Sequence, residues 1–156
     1  MGAIFRLVRE LWLGRKQLGQ TVERATAVIT AATVPIFTVS GGRIVVKQII
    51  GEITTVIQVL ATNVRLNAVP TLGTARNLSA NLNISGYAAG DLLGITGINT
   101  DAMIPPASGG ALEEQTMGVI VQEGVINLIS DAAPTGSVKW TLKWVPLDDG
   151  AAVAAA

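Results

Sequence analysis

Apolar side chains recur with helical spacing at the start of the chain and at every second position from about residue 22 onward. Over residues 3–18, Ile4, Leu7, Val8, Leu11 and Leu18 fall on one helical face, with Arg6, Arg9 and Glu10 largely off it. Gly14 and Gly19 weaken the pattern and should end it early. This spacing predicts a short N-terminal helix or arm over residues 1–21. It either caps its own domain or docks on a neighbouring subunit, and the indole of Trp12 beside the stripe suits both roles.

The alternating part predicts a β body over residues 22–150. Val34–Val39 reads as a short strand, with Pro35 favouring an edge or strand-start position. Ser40–Gly41–Gly42 reads as a turn. Arg43–Ile50 and Ile53–Leu60 are rich in β-branched residues. Between them, Gly51–Glu52 predicts either a two-residue hairpin turn or a bulge within one long strand. Asn63–Val69 alternates next, and Pro70 and Gly73 punctuate the turn after it. The clearest alternation is Arg76–Ile84, with Leu78, Ala80, Leu82 and Ile84 opposite Asn77, Ser79, Asn81 and Asn83. Residues 117–130 predict two strands around Gly124. Ser137–Val145 closes the set, with Val138, Trp140, Leu142 and Trp144 on one inward face.

Eight or nine short strands separated by turn signals predict a jelly roll or related β-sandwich rather than βαβ units. Residues 98–117 stand apart as a long loop containing Pro105–Pro106 and Gly109–Gly110. Loops of that length are uncommon inside compact domains and are often functional, so this one is expected to touch a neighbour through Pro105, Pro106 and Ala111. Residues 151–156 read as a C-terminal tail that runs along the surface or frays.

Composition narrows the function. The 156 residues suffice for one domain with a substantial core. Hydrophobic residues make up 49% and charged residues 14%, against roughly 25% charged in an ordinary soluble domain. Such a surface relies on uncharged polar groups, on burial in an oligomer, or on both. Residues 1–24 hold five basic and two acidic side chains, a net +3, and the rest of the chain holds six and nine, a net −3. A basic head on a mildly acidic body marks the arm as a segment with its own task. No basic patch outside it is dense enough for nucleic acid. Charges interrupt the apolar N-terminal residues, so neither a signal peptide nor a membrane span is expected.

The chain contains no histidine and no cysteine. A Ser-His-Asp triad cannot be built, and disulfides and thiolate metal sites are excluded. A Ser137–Lys139 dyad is formally possible, but the two are i, i+2 on one strand. Glu113–Glu114 and Asp148–Asp149 are adjacent carboxylates in loop-like stretches, which solvated loop charge explains better than glycoside chemistry. Gly86, Gly90, Gly94 and Gly97 match neither a P-loop nor a dinucleotide fingerprint and read as turn and bulge glycines. Asp91 and Asp101 are too few for a calcium cage. No catalytic residue, metal site or cofactor is expected.

The block Ile36-Phe37-Thr38-Val39-Ser40-Gly41-Gly42-Arg43-Ile44-Val45-Val46, continuing to Gly51-Glu52-Ile53-Thr54-Thr55-Val56-Ile57-Gln58, resembles small virion proteins of tailed bacteriophages. The ending Thr135-Gly136-Ser137-Val138-Lys139-Trp140-Thr141-Leu142-Lys143-Trp144-Val145-Pro146-Leu147-Asp148-Asp149-Gly150 does so too. Within that group the chain is most similar to head decoration (cement) proteins. The resemblance implies a trimer on the phage head surface, soluble in the host cytoplasm before assembly, that bridges major capsid subunits. Ile4, Leu7, Val8, Leu11 and Trp12 are then the arm's expected contacts, with Pro105, Pro106 and Ala111 as a second set. A tail, head-fibre or baseplate component is the alternative within the virion. A carbohydrate-binding β-sandwich module is the alternative outside it.

Overall fold

The computed structural model describes residues 2–6, 8 and 19–156. Residues 2–6 and 8 are helical, and from Gln20 onward the chain is strand, turn and loop. The strands are β1 (Gln20–Val28), β2 (Thr33–Ser40), β3 (Ile44–Thr55), β4 (Asn63–Pro70), β5 (Arg76–Asn77) and β6 (Leu82–Asn83). They continue with β7 (Leu92–Gly94), β8 (Val119–Val121), β9 (Gly124–Ser130), β10 (Ser137–Pro146) and β11 (Ala152–Ala155). Two antiparallel sheets result. The first runs β1-β10-β3-β7, with β8 also on β3, and the second runs β11-β2-β9-β4-β5, with β6 also on β4. The mainly β class and the short N-terminal helix follow the change of period in the sequence.

Period-two alternation decides which face each strand buries. On β10, Val138, Trp140, Leu142 and Trp144 point inward, and on β3 Ile44, Val46, Ile49 and Ile53 do the same. Phe37 of β2, Leu66 of β4 and Ile126 of β9 meet them from the other sheet. All belong to one buried hydrophobic cluster.

Several expectations about individual elements are corrected. Gly51–Glu52 is not a turn, because β3 runs unbroken through it. Gly51 lies opposite Trp140, and a Cβ there would sit 2.8 Å from the indole ring. The glycine therefore serves packing rather than chain reversal. The bulges on β3 fall elsewhere, where the register with β10 shifts at Ser137/Val138 and at Lys143/Trp144.

Arg76–Ile84 is not one strand but two short ones, β5 and β6. Leu78 and Ser79 are both buried in succession, which breaks the alternation. The Ser79 hydroxyl turns inward and accepts the Leu66 N–H at 3.2 Å. Likewise, the stretch expected to run as strand to Leu60 leaves the sheet after Thr55. The C-terminal tail does not fray, since β11 adds to the edge of β2. Its pairing reaches only Phe37, so Pro35 lies where β2 has β9 on one side and no strand on the other. That position needs no second N–H, which reconciles the proline with a strand otherwise interior to its sheet.

The packing of Trp140 on Gly51 generates a test. Trp140 is only 1% exposed and has no room to withdraw. Gly51→Ala is expected to destabilise the body by about 1–3 kcal/mol through overpacking. A shift of the urea unfolding midpoint followed by tryptophan fluorescence measures it, and an unchanged midpoint would contradict the contact.

Candidate functional site

The N-terminal helix carries apolar side chains that the body does not cover. Ile4 is 71% exposed, Phe5 73% and Val8 59%. None of them belongs to the buried cluster, whose members run from Ile29 to Trp144. Of the five expected arm contacts, Ile4 and Val8 are therefore open to a partner, while Leu7, Leu11 and Trp12 lie outside the described residues. No helix among the described residues is long and apolar enough to cross a membrane.

The 98–117 loop is fastened to the body along its length. Met103 is buried in the core, and the Tyr87 hydroxyl donates to the Pro105 carbonyl at 3.1 Å. Burial, with Asp91 nearby, pushes the Tyr87 pKa up, so its hydroxyl keeps the proton it donates. Gly94 and Ile104 exchange backbone hydrogen bonds of 2.6 and 2.9 Å, and the Leu92 N–H donates to Gly109. The loop thus covers the outer edge of β7, which would otherwise present unpaired backbone groups. Farther along, β3 has strand partners at residues 44–46 and 50–52 but none between them on that side. The Gln115 side chain bridges the end of this gap, donating from Nε2 to the carbonyls of Val46 at 3.3 Å and Met117 at 2.6 Å. Pro106 and Ala111 are exposed at the surface, and Pro105 is half-buried.

The two ends of the body differ in charge. At one end, the loops 29–32, 56–62, 84–91 and 131–136 converge and are hydrogen-bonded to one another. Ile29 donates to Gly136, Gln58 to Thr135, Ile57 to Tyr87, and Ser130 to Ala32. These four loops contain no lysine or arginine, and their acids are Asp91 and Asp131 alone. Asp91 is buried and accepts the Ala88 N–H at 2.6 Å. Asp131 accepts from the N–H and the side-chain amide of Asn63, both at 2.7 Å, and these bonds lower its pKa. Around them stand the exposed side chains of Val28, Val56, Val59 and Leu60, with Val59 at 87%.

At the opposite end, the turns 41–43, 71–75, 122–123 and 147–151 carry Arg43, Glu123, Asp148 and Asp149. Arg43 holds Asp148 through its backbone N–H, Nε and a terminal nitrogen, at 2.8, 2.8 and 2.7 Å. Leu72 and Leu147 are the exposed apolar residues of those turns.

Sequence reasoning did not single out the weakly charged end, although a signal exists. Arg24 to Arg43, Glu52 to Arg65 and Arg76 to Asp91 are three stretches without a charged residue. Each spans a loop at this same end, a coincidence that only the topology reveals.

The members of the Ser137–Lys139 pair have separate structural partners. Ser137 Oγ bonds with the hydroxyls of Thr54 and Thr55 at 2.7 and 2.9 Å. Lys139 Nζ instead lies 3.8 Å from Glu23 and 3.6 Å from Glu52. Glu113 and Glu114 are exposed on the loop. Among the described residues no grouping of acids could hold a metal ion. Two open clefts of about 250 Å³ flank Gly118, one bordered by Arg76 and Ile120 and the other by Lys47, Gln115 and Lys143. Comparison with protein-family models, with curated proteins and with solved structures finds no match for this chain.

Two measurements test these assignments. Gln115→Ala removes both donors that bridge the β3 gap and is expected to cost about 1–3 kcal/mol, read as a lower thermal midpoint. Arg43 holds the Asp148 pKa at about 2, below the ordinary 3.8, through hydrogen bonding first and charge second. Because the folded-state value is depressed, the pair adds stability above about pH 4 and loses it as pH falls through 2. Asp148→Asn should therefore be less stable than wild type at pH 6, with the two converging near pH 2. Parallel curves across that range would refute the pairing.

Proposed function

We propose that this chain is a non-catalytic structural protein of a tailed-phage virion. It works as a head decoration protein that associates with its own copies, as a trimer, and bridges capsid subunits. The observation that carries this reading is the helix's exposed Ile4, Phe5 and Val8, which stand outside the buried cluster of the described residues. A side chain exposed at that level stabilises nothing in its own fold, and its burial against a partner contributes about 1.5–3 kcal/mol for each such residue. Several modest contacts on one oligomer then add up through effective concentration rather than through any single tight site.

The body supports the same reading. Taken as β1, β10, β3, β7 against β2, β9, β4, β5, with β6, β8 and β11 as additions, the strand order supports reading the body as an eight-stranded jelly roll. That architecture recurs in viral capsid and lectin domains, so it favours a virion role by analogy of fold alone. Against the carbohydrate-binding alternative, Trp140 and Trp144 are both core residues and offer no sugar platform.

The decisive experiment compares the full chain with one lacking residues 1–18 for binding to undecorated phage heads. Since β1 begins at Gln20, the deletion leaves the body intact. Occupancy is expected to fall more than about tenfold, the loss that corresponds to 1.4 kcal/mol, with the thermal midpoint unchanged. Equal occupancy would overturn the role of the arm, and labelling confined to tails on intact particles would overturn the head assignment.

A further inference from the structure

We infer that the N-terminal helix of one copy seats on the weakly charged end of a second copy, at the surface formed by Val56, Val59 and Leu60. This rests on the structural reading above and names the partner of its arm. Three observations converge on it.

The first is chemical match. The helix presents Ile4, Phe5 and Val8 to solvent, and the end presents Val28, Val56, Val59 and Leu60. Each is an apolar group that its own chain leaves uncovered, and joining them removes both from water.

The second is charge. The arm belongs to a segment of net +3, with Arg6 next to the exposed apolar residues. The four loops of the end hold two acids and no base, and the neighbouring cation, Arg65, lies beside Asp131, so a cationic segment meets little like charge there. Around the clefts near Gly118, by contrast, Lys47, Arg76 and Lys143 would oppose it. At the far end Arg43 is taken up by Asp148, so what separates the two ends is apolar exposure, with Leu72 and Leu147 there against Val28, Val56, Val59 and Leu60 at the seat.

The third is geometry. Gln20 pairs with Trp144 near the charged end, and Val28 pairs with Ser137 at the other. The nine residues of β1 therefore carry the chain about 30 Å from where the arm joins to where the proposed seat lies. Reaching its own seat would need nearly the full ~35 Å span of the ten residues 9–18. A second copy can be met without that extension. The contact is heterologous, with two different surfaces joined, so copies close into a ring or continue as a chain.

The absence of cysteine allows a direct test. Phe5→Cys and Val59→Cys are made as separate full-length proteins, and both positions are exposed, so neither change touches the core. Mixed under mild oxidation, they are expected to form a disulfide-linked heterodimer at least tenfold faster than either forms a homodimer. Phe5→Cys mixed with Thr74→Cys, at the charged end, should show no such preference. Val59→Asp should convert the oligomer seen by mass measurement into monomer while keeping its thermal midpoint.

Faster homodimers of Val59→Cys would mean the ends pair with each other, and faster homodimers of Phe5→Cys would mean the helices do. Either outcome overturns the seat, as does cross-linking that fails to distinguish Val59 from Thr74. If the cross-link fails while the 1–18 deletion still abolishes head binding, the structural reading stands and the arm binds another protein. If the cross-link succeeds but the deletion leaves occupancy unchanged, the arm joins copies without serving attachment.

Discussion

The body is organised around the seam where β10 meets β3, because there an indole lies against a backbone that carries no side chain. Trp140 fills the space above Gly51, where a Cβ would sit 2.8 Å from the ring. Every neighbour is placed with reference to this seam. β1 adds to the far side of β10, and β7 and β8 add to the far side of β3, with the second sheet closing over the same buried cluster. Interiors packed at crystal-like density transmit a misfit of even one methyl group, so this contact constrains more than its own pair of strands.

The strands with strict alternation were legible from sequence, and for one physical reason. In β10 and β4 one face is buried and the other wet, so period two is written directly into residue type. The elements that escaped notice lack that contrast. β7 is three residues inside a glycine-rich run, and β11 is alanine and valine with no polar face, so neither shows alternation. Gly51 misled because glycine punctuates turns far more often than it makes room for a ring across a sheet. Ser79 misled in the opposite sense, as a polar residue at an outward position that turns in to accept a backbone N–H. The exposed face of the helix was visible in its spacing through Ile4 and Val8. The weakly charged end was not, because its four loops are distant in sequence and only the sheet order brings them together.

The loops at the two ends of the body differ in charge. Paired ions and solvated acids gather where the turns between β2 and β3 and between β10 and β11 meet, and the other end is nearly without them. Scarcity of charge there carries a cost in solubility for an isolated molecule and a benefit once a partner covers it, since no ion must be desolvated or left unpaired. The composition as a whole, poor in charge and rich in small apolar residues, is thus not an average property of the surface. It reflects one region in particular, and the loop that fastens the β7 edge serves the complementary purpose of denying strand pairing elsewhere.

The order of the strands also bears on how the chain comes to be folded during synthesis. β9 and β10 lie in the middle of their sheets but near the end of the chain, between β2 and β4 in one case and β1 and β3 in the other. When a ribosome has released the first 70 residues, four strands exist and none of them pairs with any other. Their apolar faces must wait for the last third of the chain, which makes the contacts long-range and assembly late. A nascent chain of this topology spends its translation as a set of unpartnered strands, the condition in which chaperone binding and aggregation compete most directly. For a chain of this topology, the step that completes β9 and β10 is the one that commits the earlier strands to the folded pool.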